Sequence, residues 1–207
     1  MTAEGIWGDT ARLLAAFPES IRADVSAALA LMPTTSRVMP NGSKLSPHSI
    51  GSNRRQYHLT VGGEAVDIPY RIYHDSPDPD VPETHPTQRT ILGCLYTRHY
   101  DGFVRQQWLR TILDAEHPWV APFVIQLLGE YVPEIVDDID GALRARHAEP
   151  YERFITENPQ FHTLVRQRAI SYWNAYSRSR YPRLCDYPGY SLLTSLAADS
   201  EDHLSAH

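Results

Sequence analysis

The stretch HPWVAPFVIQLLGEYVPEIVDDID, residues 117–140, constrains this chain more than any other segment. Read as one helix at 100° per residue, it gathers Gln126, Glu130, Glu134 and Asp137 into a stripe of about 80°. Trp119 and Phe123 flank that stripe. Val124, Ile125, Leu127, Leu128, Tyr131, Val132, Ile135, Val136 and Ile139 fill most of the remaining circumference. A helix apolar over so wide an arc is contacted on several sides and sits centrally. Its acidic stripe must then meet either a strip of water or the cations of a neighbouring helix. Pro122, Gly129, Pro133 and the acids rule against a membrane span.

Two arginines stand where such cations are needed. Arg105 falls in the middle of the apolar arc formed by Val104, Trp108, Leu109, Ile112 and Leu113. Arg168 lies on a face shared with Phe161, Leu164, Val165, Tyr172 and Tyr176. A guanidinium keeps its proton, so its burial has to be compensated by carboxylates or carbonyls. The economical arrangement brings Arg105 and Arg168 to Glu130 and Glu134. That cluster reads first as a network fixing helix register. Its sharper reading is a charged cleft in which the arginines hold an anion while a glutamate moves a proton. His99 and Asp101 straddle a helix end nearby in sequence, but no nucleophile motif accompanies them.

The rest of the chain organises around this segment as a mainly α, compact helical domain spanning 1–207, with one inserted β-hairpin. Residues 9–31 have helical spacing, with Pro18 separating two short helices. Residues 33–54 are rich in Pro, Gly, Ser and Thr and predict an exposed, mobile loop. At 56–73 the period drops to two, and Gly62-Gly63 supplies the positive φ angles of a tight hairpin. A helical core is predicted over 86–180, and the polar end from 197 to 207 predicts a frayed tail.

Composition sets outer bounds. The formal net charge of -6 does not favour a whole-chain nucleic-acid binder. Lys44 is the sole lysine, a bias that points to a high-GC bacterial genome. Cys94 and Cys185 make no disulfide framework, and the N-terminus lacks a secretory pattern, so a reduced cytoplasmic protein is expected. No HExxH, paired Cys/His spacing, P-loop or GxGxxG occurs, so neither metal nor cofactor is implied.

The segment YDGFVRQQWLRTIL resembles the second helix of HEAT-like repeats, in which a turn Asp precedes Val-Arg entering an amphipathic helix. Here those residues are Asp101, Val104 and Arg105, and Pro122 near the start of the next helix suits the same pattern. The resemblance covers about residues 86–140, roughly one repeat. It implies stacked helix pairs, HEAT-like or as an irregular orthogonal bundle, a scaffold used mostly to bind proteins or nucleic acids.

The most suggestive surface lies C-terminal. Arg166, Arg168, Arg178, Arg180 and Arg183 occur with no acid between 166 and 185, interleaved with Tyr172, Trp173, Tyr176 and Tyr181. Arginines among aromatics typify protein interfaces, grip phosphates and stack on bases, or serve a helix packed on an acidic neighbour. The sequence therefore reads as a non-catalytic protein-binding module, of the adaptor, inhibitor or immunity type. A nucleic-acid binder or enzyme on a HEAT-like scaffold is the alternative, followed by a small-molecule enzyme using Arg105, Glu130, Glu134, Arg168 and His99. Nothing in the sequence bears on homo-oligomerisation.

Overall fold

The computed structural model describes residues 10–33, 37–38, 44–45, 55–79, 85–144 and 148–205, with side chains at 37–38, 44–45 and 199–205 left aside. The fold is mainly α with an inserted antiparallel hairpin. Two compact units divide it, one of Met1–Leu59 and Glu64–Ile112, the other of Thr60–Gly63 and Leu113–His207.

In the first unit, a helical turn over 10–14 (α1) and a 3-10 turn, Glu19–Ile21, precede α2, Arg22–Ala30. Most of the loop expected at 33–54 lies outside the described residues. Within it, Arg37–Val38 (β1) pairs antiparallel with Lys44–Leu45 (β2). The hairpin follows as β3, Gln56–Val61, and β4, Glu64–Pro69. Leu59, Val61, Val66 and Ile68 are buried, as the alternation predicts, and Pro69, next to Ile68, is buried with them. Gly62 and Gly63 turn the chain at φ +59° and +83°, a region a side chain would resist. Helix α3, Pro86–Tyr96, starts with Pro86 in its first turn and His85 Nδ1 accepting from Thr87 N. Helix α4, Gly102–Arg110, is capped by Asp101, whose Oδ1 accepts from Phe103 N at 2.9 Å. Gly93 lets α3 approach the end of α4, since a Cβ there would stand 2.8 Å from Thr111 Oγ1.

The second unit corrects the single helix read over 117–140. Helix α5 covers only Ala121–Leu127, and a new helix, α6, begins at Pro133 and ends at Leu143. Pro133 lacks an N–H, and its ring would strike the carbonyl four residues back, so it is accommodated at a first helical position. Gly129, in the break, faces α8, Pro159–Tyr172; a Cβ there would lie 3.1 Å from Val165 Cγ1 and 3.2 Å from Arg168 Cβ. The acidic stripe does not exist as such: Glu130 falls in the break and Glu134 in the first turn of α6.

Two further helices complete this unit. Helix α7, Glu149–Glu157, lies within the helical core expected over 86–180 and buries Tyr151, Phe154 and Ile155. Helix α9, Pro188–Ser205, continues through most of the stretch whose polarity predicts fraying, and buries Leu192, Leu193 and Leu196. Asn158 holds the hairpin tip: its Oδ1 accepts from Thr60 N at 2.8 Å and its Nδ2 donates to Thr60 O at 2.7 Å.

Candidate functional site

Helix α8 does not end in an ordinary cap. It runs into a π-helical turn, Trp173–Ser177, a widened geometry that recurs at functional sites. The turn closes when Tyr181 N donates to Ser177 O at 2.8 Å, and Trp173 Nε1 donates to Tyr181 O at 2.8 Å. The chain after the helix is thereby tied back onto its last residues.

Around this turn the aromatic side chains form a ladder. Tyr131, brought in by the break between α5 and α6, has its ring centroid 6.0 Å from that of Tyr172. Tyr172 in turn stacks on Tyr176 at 6.2 Å, with 24° between the ring planes. The outer rungs are exposed, Tyr131 by 54% and Tyr176 by 68%. Both are large aromatics in water, and together they make a patch of the kind that partners cover.

The arginines sort into two kinds. Arg180 pairs with Asp137 Oδ2 at 2.9 Å while lying over the Tyr181 ring. Arg183 makes a two-pronged bond to Asp186, 2.8 Å on each prong. Those two cations are neutralised within the unit. Arg178 instead lies over the Trp173 indole, 5.1 Å from its centroid, and Nη1 donates to Asn174 Oδ1 at 3.2 Å. Arg166 lies over Tyr190 at 5.0 Å and donates to its hydroxyl at 2.7 Å. Neither Arg178 nor Arg166 has a carboxylate partner among the described residues. The bond from Arg166 lowers the Tyr190 phenol's pKa. Tyr187 goes the other way, pushed up to about 12 by burial and then by the charge of Asp137.

The residues of the enzymatic reading are distributed over both units. In the first, Arg105 is 1% exposed and its Nη1 donates to the carbonyls of His99 and Tyr100, each at 3.0 Å. Both nitrogens of His99 are in use. Nε2 donates to His74 O at 3.0 Å, which fixes the tautomer, and Nδ1 accepts from Asp101 N at 3.1 Å. Burial lowers its pKa. In this arrangement the lone pair a general base needs is engaged by the backbone. In the second unit, Glu130 is 5% exposed, Arg168 is half-buried beside Gly129, and Glu134 is exposed. Cys94 is buried, which raises its thiol pKa, and Cys185 is exposed. Among the described residues no group of His, Cys, Asp and Glu could hold a metal ion, and no helix is long and apolar enough to cross a membrane.

Sequence reasoning assembled Arg166, Tyr172, Trp173, Tyr176, Arg178, Arg180, Tyr181 and Arg183 and missed Tyr131, Asn174, Asp137 and Asp186. Asn174 was legible as a residue four before Arg178. Tyr131 was not, because only the break before Pro133 carries it to α8. No protein-family model matches the chain, and neither the curated proteins nor the solved structures contain a match.

Proposed function

We propose that this chain is a non-catalytic protein-binding module and that its partner docks on the exposed ladder of Tyr131, Tyr172 and Tyr176. The observation that supports this is that the ladder shares its helical turn with a cation, Arg178, held over Trp173, the residue after Tyr172. Tyrosine and arginine are among the residues enriched at interface anchors, tyrosine because its ring buries a large surface with only two torsions to fix and arginine because its planar fork carries five donors. Trp173 and Asn174 already hold the Arg178 guanidinium, which reduces the ordering cost of binding. A helical scaffold of the HEAT-like kind, resembled at 86–140, accords with such a role, as does a bacterial cytoplasmic setting. Nucleic-acid binding is the second reading, favoured by the same arginines and aromatics. Against it stand the ion pairs of Arg180 and Arg183 and the formal net charge of -6.

Affinity capture from the native cell tests the proposal. The wild-type chain is expected to retain a stoichiometric protein that the Tyr131→Ser/Tyr176→Ser double variant loses at least tenfold. Equal capture by both, or no stoichiometric protein at all, overturns it.

A further inference from the structure

From the charge arrangement around the ladder, and resting on the protein-binding reading above, we infer the chemistry of the partner: an acidic segment carrying an aromatic side chain close to a carboxylate. The rings of Tyr172 and Tyr176 stand 6.2 Å apart at 24° and are already stacked on one another. No further ring enters between them, so an incoming apolar group packs against the outer rungs, where Tyr131 and Tyr176 are exposed. An aromatic ring matches that surface best, since it reproduces the contact the rungs make with each other.

On the same turn as Tyr172 and Tyr176 the cation inventory selects the charge. Arg180 and Arg183 are satisfied by Asp137 and Asp186. Arg178 remains as a positive charge held over Trp173 and bonded to a neutral amide, Asn174. A guanidinium carries five donors, and the Asn174 bond occupies one of them. A carboxylate is the planar, two-oxygen acceptor that such a fork takes. The other cation of this kind, Arg166, is twelve positions earlier, roughly three helical turns away across the end of α8 and the π-helical turn. Two cations so far apart suit discrete carboxylates. A nucleic-acid duplex, with one charge per roughly 1.7 Å of axis, asks for a continuous row. The exposed Glu134 and the Asp137 carboxylate that Arg180 reaches add repulsion against such a polyanion.

The test pans a displayed library of random 12-residue peptides on the full chain, with a 12-nucleotide thymidylate strand as competitor. Enriched peptides should place Asp or Glu within three positions of Trp, Tyr or Phe, and the oligonucleotide should not displace them. On Arg178→Gln the acidic preference should disappear while the aromatic preference persists. On Tyr131→Ser/Tyr176→Ser recovery should fall at least tenfold, with unchanged melting temperatures showing that each variant is folded. Peptides that are basic or lack acids, an acidic preference that survives Arg178→Gln, displacement by the oligonucleotide, or no enrichment each overturns the inference. Cellular capture that depends on Tyr131 and Tyr176, alongside such a failure, would leave the protein-binding reading standing and remove only the acidic partner.

Discussion

Arg178 lies over the indole of Trp173, and the same indole donates its N–H to Tyr181 O, so one ring both orients the cation and fastens the chain that follows it. Trp173→Phe separates the two roles, because the ring remains and the N–H goes. Losing that hydrogen bond should cost about 1 kcal/mol. The amides of Tyr181 and Arg183, on either side of Pro182, should exchange faster with solvent while those of α8 do not, which hydrogen exchange would resolve.

Asp137 serves both Arg180 and Tyr181, at 2.9 Å and 3.4 Å. Its pair with Arg180 is more than a third exposed on both sides, so Asp137→Asn should change stability by no more than about 1 kcal/mol. Its electrostatic effect is better seen in the phenols. Burial is the first cause of the raised Tyr187 pKa and Asp137 the second, so Asp137→Asn should bring that value down from about 12 without restoring it fully. A phenol whose folded pKa exceeds its unfolded value near 10 stabilises the fold below pH 10. That stability is lost as pH rises from about 10 toward 12; in the variant the loss should start at the same pH, be smaller and be complete sooner. Ultraviolet titration of the tyrosines, followed by melts at each pH, checks both statements.

His99 and His162 are both lowered in pKa, in each case chiefly by burial. For a histidine held neutral by the fold, stability is present above the unfolded pKa near 6.5 and lost as pH falls toward the lowered folded value. Protonating His99 also places a proton on the Nδ1 that accepts from Asp101 N, the capping residue of α4. Urea melts should therefore weaken below pH 6.5. His162→Gln should flatten that decline by up to one proton's worth of slope, since among the described residues its ring bonds Leu193 O alone, at 2.9 Å.

Glu130 is almost fully buried, and α8 carries the Cβ of Arg168 to the neighbouring Gly129. If Arg168 compensates that carboxylate, Arg168→Ala should destabilise by roughly 3–5 kcal/mol. Arg178→Ala, on the exposed turn, should stay within about 0.5 kcal/mol. In the Arg168→Ala background Glu130→Gln should cost much less than in the wild type. Small and equal effects of the two arginine substitutions would remove Arg168 from this role.

How much of this was legible in the sequence depended on whether the signal was local. The hairpin was, because Leu59, Val61, Val66 and Ile68 alternate with polar residues around Gly62-Gly63. The helix over 117–140 was misread for a physical reason: the apolar count outweighed Pro133, whose missing N–H decides where α6 starts. That error joined Glu130 to Glu134 in a stripe and hid Tyr131 among core residues. Helix α7 carries only a weak signal of its own, because EPYERFITE is short and charged, its buried side reduced to Tyr151, Phe154 and Ile155. The arginines and aromatics of 166–183 were visible as composition. Which of those arginines are already neutralised, and which lie on rings, depended on Asp137 and Tyr190, far from them in sequence, as well as on Asp186, three positions after Arg183.

The central claim is that the exposed ladder meets a protein. A photo-crosslinking amino acid placed at position 176, in the native cell, tests it most directly, with Thr163, an exposed residue of α8, as the control position. The account predicts an ultraviolet-dependent crosslink from 176 to one protein, absent from 163 and suppressed at least fivefold by Arg178→Gln in the same chain. Crosslinks from 176 chiefly to nucleic acid, or to the same mixture of proteins captured from 163, would contradict it.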